Sequence, residues 1–350
     1  MSGPKRTNLF MLGLLILGIV FQVSPLVFKG FDYRFVKGFT EVLYPGIVVL
    51  LFFLITREKP REVFQFHRVD IRNIGYIVLM TLLIYPLIGI VSGLTQLVLP
   101  NPLLRTSISS AISRGPLWLA LLTIAVQPAV LEELCFRGII RHGYRNVPLR
   151  TQALVVGVFF GIFHLNFSQV FYAAVLGIFM IYVFYYTRSI LSTMLVHLLI
   201  NGSSVTLSHV ISSRLVTQMQ NTATTPHSAG SVIALLVTFV FQFCLYFPLY
   251  HLAFRSFVTY NKKRLGLLNP PQYAYYPVRI YQGPLTSPPF GATSIPERSS
   301  VLTPGVITSI EEAPNQGQID QRTFTPLFFV IVGVFVGFAT FIQVYSYLVR

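Results

Sequence analysis

Long apolar stretches separated by short polar punctuation organise this chain. Nine of them, at 8–28, 39–56, 73–99, 116–145, 150–166, 168–187, 190–212, 231–254 and 324–347, come close to the roughly 20 residues that an α-helix needs to cross a hydrocarbon core. A helix that is apolar on all sides has no face for water. The pattern therefore predicts an all-α, polytopic transmembrane helical bundle of about eight core spans plus one extra C-terminal span. The first stretch follows Lys5 and Arg6, runs too long for a signal-peptide core and shows no small-residue cleavage site, so it is expected to be an anchor.

The breaks suggest a division. Residues 1–115 hold the N-terminal spans and an outer amphipathic segment, Asn101 to Gly115, expected as an interfacial helix. Residues 116–212 form a central core, 213–255 a further span, and 324–350 the last span. Between these, 256–323 contains nine prolines and no apolar periodicity, as expected of an irregular loop.

Composition agrees with a membrane setting: hydrophobic residues make up 53%, charged residues 11%, and mean hydropathy is +0.66. Soluble domains carry about 25% charged residues. A net charge of +15 would point to nucleic acid in a soluble protein. Here the basic residues alternate between loops: 18 of the 26 Lys and Arg fall on one side, seven on the other, and Arg137 lies within a span. This is the positive-inside asymmetry. It places the N-terminus and the Pro-rich loop in the cytoplasm, adds an attraction to anionic lipid, and removes nucleic acid as a partner. Cys135 and Cys244 both fall in apolar spans, so no disulfide framework is indicated.

Against that background Glu132 and Glu133 stand out, because they end an apolar run in a chain with only 11 acidic residues. A charge at membrane depth costs about 2.5–3.5 kcal/mol on insertion scales, and the default reading of such a residue is functional. On a helix over Pro116 to Tyr144, Glu133 and Arg137 stand at i and i+4 and can pair, while Glu132 points about 100° away. His164 lies as many residues after Pro148 as Glu132 lies before it, so in an antiparallel hairpin the two share a depth of about 24 Å from the turn. From the turn at Arg188 and Ser189, His197 and Asn201 share a helical face at about 12 and 18 Å. A carboxylate beside a histidine can deprotonate water, and a second His with an Asn amide can donate to a developing oxyanion. The physical reading is hydrolysis inside the membrane.

The run Glu132-Glu133-Leu134-Cys135-Phe136-Arg137 reads EExxxR, Phe160 to His164 reads FxxxH, and His197 to Asn201 reads HxxxN. In this order the three resemble the motifs of the CPBP (Abi) intramembrane protease family, which includes the type II CAAX prenyl endopeptidases. The resemblance covers about residues 116–212. It implies a helical bundle with a cavity open to the cytosol, Glu132 as general base assisted by His164, and His197 with Asn201 as oxyanion hole. Glu133, Arg137 and Phe160 would support them. It further implies a peptide or membrane-protein substrate, prenylated C-terminal peptides among the candidates, and a bacterial cytoplasmic membrane as location. Glu132, His164 and His197 also make a three-ligand set for zinc. With no HExxH in the chain, catalysis without metal or other cofactor is the expectation.

Other readings stand beside this one. Glu133 with Arg137 makes sense as a purely structural ion pair, and either histidine alone as a packing residue. Cys135, flanked by Leu134 and Phe136, reads as packing rather than as a nucleophile. Ser203 and Ser204 have no paired motif, and His67, His142, His209, His227 and His251 fall near span ends or loops. A proton- or ion-coupled transporter would use the same ionisable groups but predicts internal repeats, which the chain lacks. A non-catalytic scaffold or immunity protein would keep the fold alone.

Overall fold

The computed structural model describes residues 3–22, 33–99, 116–210, 229–267 and 326–348. The segment expected as an interfacial helix and the Pro-rich loop beyond residue 267 lie outside them. Every regular element among the described residues is helical: α1 (Gly3–Gln22), α2 (Tyr33–Thr56), α3 (Pro60–Phe64), α4 (Ile71–Val98), α5 (Leu117–Gly143), α6 (Leu149–Phe163), α7 (Phe167–Thr187), α8 (Ile190–Val210), α9 (Ala229–Arg264) and α10 (Pro326–Leu348). The described part of each predicted apolar stretch falls on one of these helices. Six helices, α1, α4, α5, α7, α8 and α9, are long and apolar enough to cross a membrane, while α2, α6 and α10 carry shorter apolar runs. The chain is an integral membrane protein with an all-α bundle. Phe241, Phe243 and Phe247 on α9 point outward, which lipid tolerates because its tails are as apolar as the side chains.

The tightest packing is in the α6–α7 hairpin, where small residues let two backbones touch. A Cβ built on Gly161 would lie 2.4 Å from the Val170 carbonyl oxygen, and one on Gly157 2.9 Å from that of Ala174. Backbone cannot move aside as a side chain can. Gly161→Ala is therefore expected to destabilise the protein by about 1–3 kcal/mol, the usual range for overpacking. Thermal unfolding in detergent checks this, with Gly75→Ala as the control, since nothing lies within 4 Å of a Cβ at that site. α10 packs on the hairpin, with Phe328 against Phe159 at 5.5 Å and Phe335 against Phe167 at 5.4 Å between ring centroids.

One end of the bundle collects the Arg- and Lys-rich segments. Glu58 after α2 takes Arg6 of α1 at 2.6 Å on one carboxylate oxygen and His142 at the end of α5 on the other. Tyr144 donates to Asn8, and Gly143 sits so close to Thr7 that a Cβ there would overlap it. His67 Nδ1 donates to the Arg188 carbonyl at 2.6 Å.

α9 runs ten residues beyond the apolar stretch read from the sequence, to Arg264, so the expected loop starts later. Polar bonds carry that last part. Asn261 and Asn73 of α4 exchange amide hydrogen bonds at 2.7 and 3.0 Å, and Arg264 donates to the carbonyls of Tyr186 and Thr187. Tyr260 donates to Asp70, the N-cap of α4. Burial works against the Asp70 carboxylate, but hydrogen bonds from Asn73 and Tyr260 and the Arg264 charge hold it below the usual range.

Candidate active site

α5 is not the uniform α-helix expected from the sequence. Leu121–Val126 and Leu134–Ile140 are wound as π-helix on either side of α-helical Gln127–Glu133. Pro128 accounts for the first of these. Proline lacks the N–H that would bond the carbonyl four residues back, and its ring collides with that carbonyl, so the turn before it widens. The carbonyl concerned is that of Ile124, and Asn201 of α8 donates to it through Nδ2 at 3.0 Å. Wide turns of this kind are rare and recur at functional sites. The second one begins within the EExxxR run.

Glu133 is fully buried, and three groups converge on its carboxylate. Arg137 Nη1 donates to Oε1 at 2.9 Å, His197 Nδ1 donates to the same oxygen at 3.0 Å, and Thr193, one turn before His197 on α8, also faces it. Arg137 is itself fully buried. Its Nη2 donates to the Gly177 carbonyl on α7 at 3.3 Å, and its guanidinium lies 4.5 Å over the ring of Phe160. Although Glu133 Oε2 and Arg137 Nε have no hydrogen-bond partner among the described residues, extra hydrogen bonds to both partners offset part of the cost of holding a charge pair this far from water. Those bonds tie α5 to α7 and α8 at once.

Phe160 explains why an aromatic residue stands at the head of FxxxH. Its face carries Arg137, while His164 at 5.1 Å, His197 at 5.8 Å and Phe136 at 5.1 Å meet it edge to face. His164 lies at the C-terminal end of α6, where its Nδ1–H donates to the Phe160 carbonyl at 2.8 Å. A carbonyl can only accept, so in the neutral ring Nε2 carries the lone pair. The next residue, Leu165, is buried with φ +52°, a left-handed conformation uncommon for a residue with a branched side chain. Asn166 then caps α7 through Ser168 N at 2.8 Å. This sharp corner holds the histidine at the edge of the buried cluster.

Glu132 is 9% exposed, and its Oε2 lies 4.0 Å from His197 Nε2. His197 thus stands between both glutamates, with Nδ1 toward Glu133 and Nε2 toward Glu132. The Glu133–His197 bond and the contact with Thr193 were not legible in the sequence, where Glu133 had only Arg137 as a partner. Among the described residues no three or more His, Cys, Asp or Glu side chains are placed to hold a metal ion. Cys135 is buried with its thiol 3.8 Å from the Pro45 carbonyl, and the hydroxyls of Ser203 and Ser204 bond the Ile200 carbonyl.

No curated protein and no solved structure matches the chain. Residues 114–203, which contain every side chain of this cluster from Glu132 to Asn201, match the family model of the Rce1-like type II CAAX prenyl endopeptidases, in agreement with the resemblance carried by the three motifs.

Proposed function

We propose that this chain is an intramembrane endopeptidase whose nucleophile is a water activated by Glu132, without a metal. The observation that carries the reading is His197 held between two glutamates inside a segment that matches a protease family. The 4.0 Å between Glu132 Oε2 and His197 Nε2 is too long for a direct hydrogen bond, and Glu132, 9% exposed at the edge of the cluster, is placed to take the catalytic water. Glu132 takes a proton from that water as its oxygen attacks the peptide carbonyl, and the proton then passes to the leaving amine. Glu133 fixes the His197 tautomer by accepting from Nδ1. When protonated, His197 donates from Nε2 to the developing oxyanion, and Asn201 adds its second amide N–H while the first stays on Ile124. His164, with Nε2 as its basic nitrogen, assists at the water. The substrate is a membrane peptide or a prenylated C-terminal peptide, entering from the end where the basic segments collect, which the positive-inside asymmetry favours as the cytoplasmic face.

The test is direct cleavage. Full-length protein in detergent is incubated with a prenylated C-terminal peptide and with a library of membrane peptides, and products are identified by mass spectrometry. Cleavage by wild type and its loss in His164→Ala support the reading; no cleavage by wild type, or equal cleavage by the variant, overturns it. Activity is expected to be unchanged in a tightly chelating buffer, and a loss restored by added zinc would overturn the metal-free mechanism.

A further inference from the structure

Around the basic end of α5 lie three arginines that the proposed chemistry does not use: Arg141 on α5, Arg145 just after it and Arg188 at the end of α7. Arg141 is only 6% exposed; its Nε donates to the Arg137 carbonyl at 2.7 Å, its Nη2 to the Val63 carbonyl at 3.1 Å, and its guanidinium lies 4.3 Å over the ring of Phe184. Arg188, exposed in a left-handed cap at the end of α7, lies over the ring of Tyr185, the neighbour of Phe184. Arg145, also exposed, is tied back to the His142 carbonyl at 2.9 Å. Both exposed arginines act on Arg141 as like charges. Among the described residues no carboxylate pairs with any of the three. The carboxylate of this neighbourhood, Glu58, already bridges Arg6 and His142.

A buried guanidinium beside two others is costly unless an anion balances it. The aromatic rings and carbonyls hold Arg141 in place without neutralising it. The site lies at the end of the apolar span of α5, at the end of the bundle richest in Lys and Arg, and basic groups at the end of a span are placed to meet anionic headgroups. Arginine forks match the oxygen geometry of phosphate. We propose that Arg141, Arg145 and Arg188 bind the phosphate group of an anionic lipid, which neutralises the inner end of the helix that carries the glutamates. This site is independent of peptide hydrolysis.

Native mass spectrometry of the full chain in neutral detergent, titrated with phosphatidate, phosphatidylcholine or inorganic phosphate, tests the proposal. Phosphatidate is expected to bind, and the Arg145→Gln/Arg188→Gln double variant to bind it about thirty-fold more weakly, from the usual contribution of two basic residues at a lipid surface. Both positions are exposed, so the fold is expected to tolerate the change. Arg255→Gln/Lys263→Gln removes the same charge elsewhere on that end of the bundle and is expected to leave binding within about two-fold of wild type. Equal weakening by the two double variants, or equal binding of phosphatidylcholine, overturns the site. Binding of inorganic phosphate as tightly as phosphatidate overturns the lipid as its source.

Discussion

Glu132→Gln is expected to lower the cleavage rate by about 10²–10⁴-fold, the usual contribution of a positioned general base. The glutamine keeps the shape of the carboxylate, and Arg137 keeps its ion pair with Glu133, so thermal unfolding should stay close to wild type. Single-turnover cleavage of whichever peptide wild type cuts, read with unfolding in the same detergent, checks both halves. A variant that folds and cuts at the wild-type rate removes Glu132 as the base. Glu133→Gln separates the two neighbours. It leaves Arg137 buried without its counter-charge, so it should lower stability as well as activity, whereas Glu132→Gln lowers activity alone.

The largest expected effect on stability is at Arg137. Arg137→Leu leaves the Glu133 carboxylate fully buried with only the hydrogen bond from His197, and breaking one side of such a pair costs about 3–5 kcal/mol. It also removes the bond to the Gly177 carbonyl and the stack on Phe160. The double variant Glu133→Leu/Arg137→Leu takes out both charges and should recover most of that loss, because apolar replacements of buried pairs are often neutral. Activity should not recover, since His197 then lacks the acceptor that orients its ring. Recovery of stability without activity assigns Glu133 a positioning role for His197. Recovery of both shows that the pair only holds the helices together.

Much of this site was readable along the chain because its parts are local. Glu133 and Arg137 are four residues apart, and they meet in the structure despite the π-winding that begins between them. Pro128 is itself a visible signal: it leaves the Ile124 carbonyl without its helical donor, and a donor elsewhere was to be expected, although its identity as Asn201 was not. The left-handed Leu165 left no such trace, because leucine is not a residue that announces a positive φ.

By itself the sequence determined the membrane setting, the all-α class, the order of the apolar stretches and the three motifs, since these depend on composition and on spacing within one helix. Only the tertiary structure decided that His197 joins Glu133 and faces Glu132, that Phe160 sits beneath Arg137 between the two histidines, and that three arginines gather at one end of α5. The reason is physical. A span that is apolar on every side has no hydrophobic face to show which way it turns, because lipid and protein interior are equally apolar. Its rotation is set by close packing against its neighbours, here by glycines at the α6–α7 contact and by wide turns in α5.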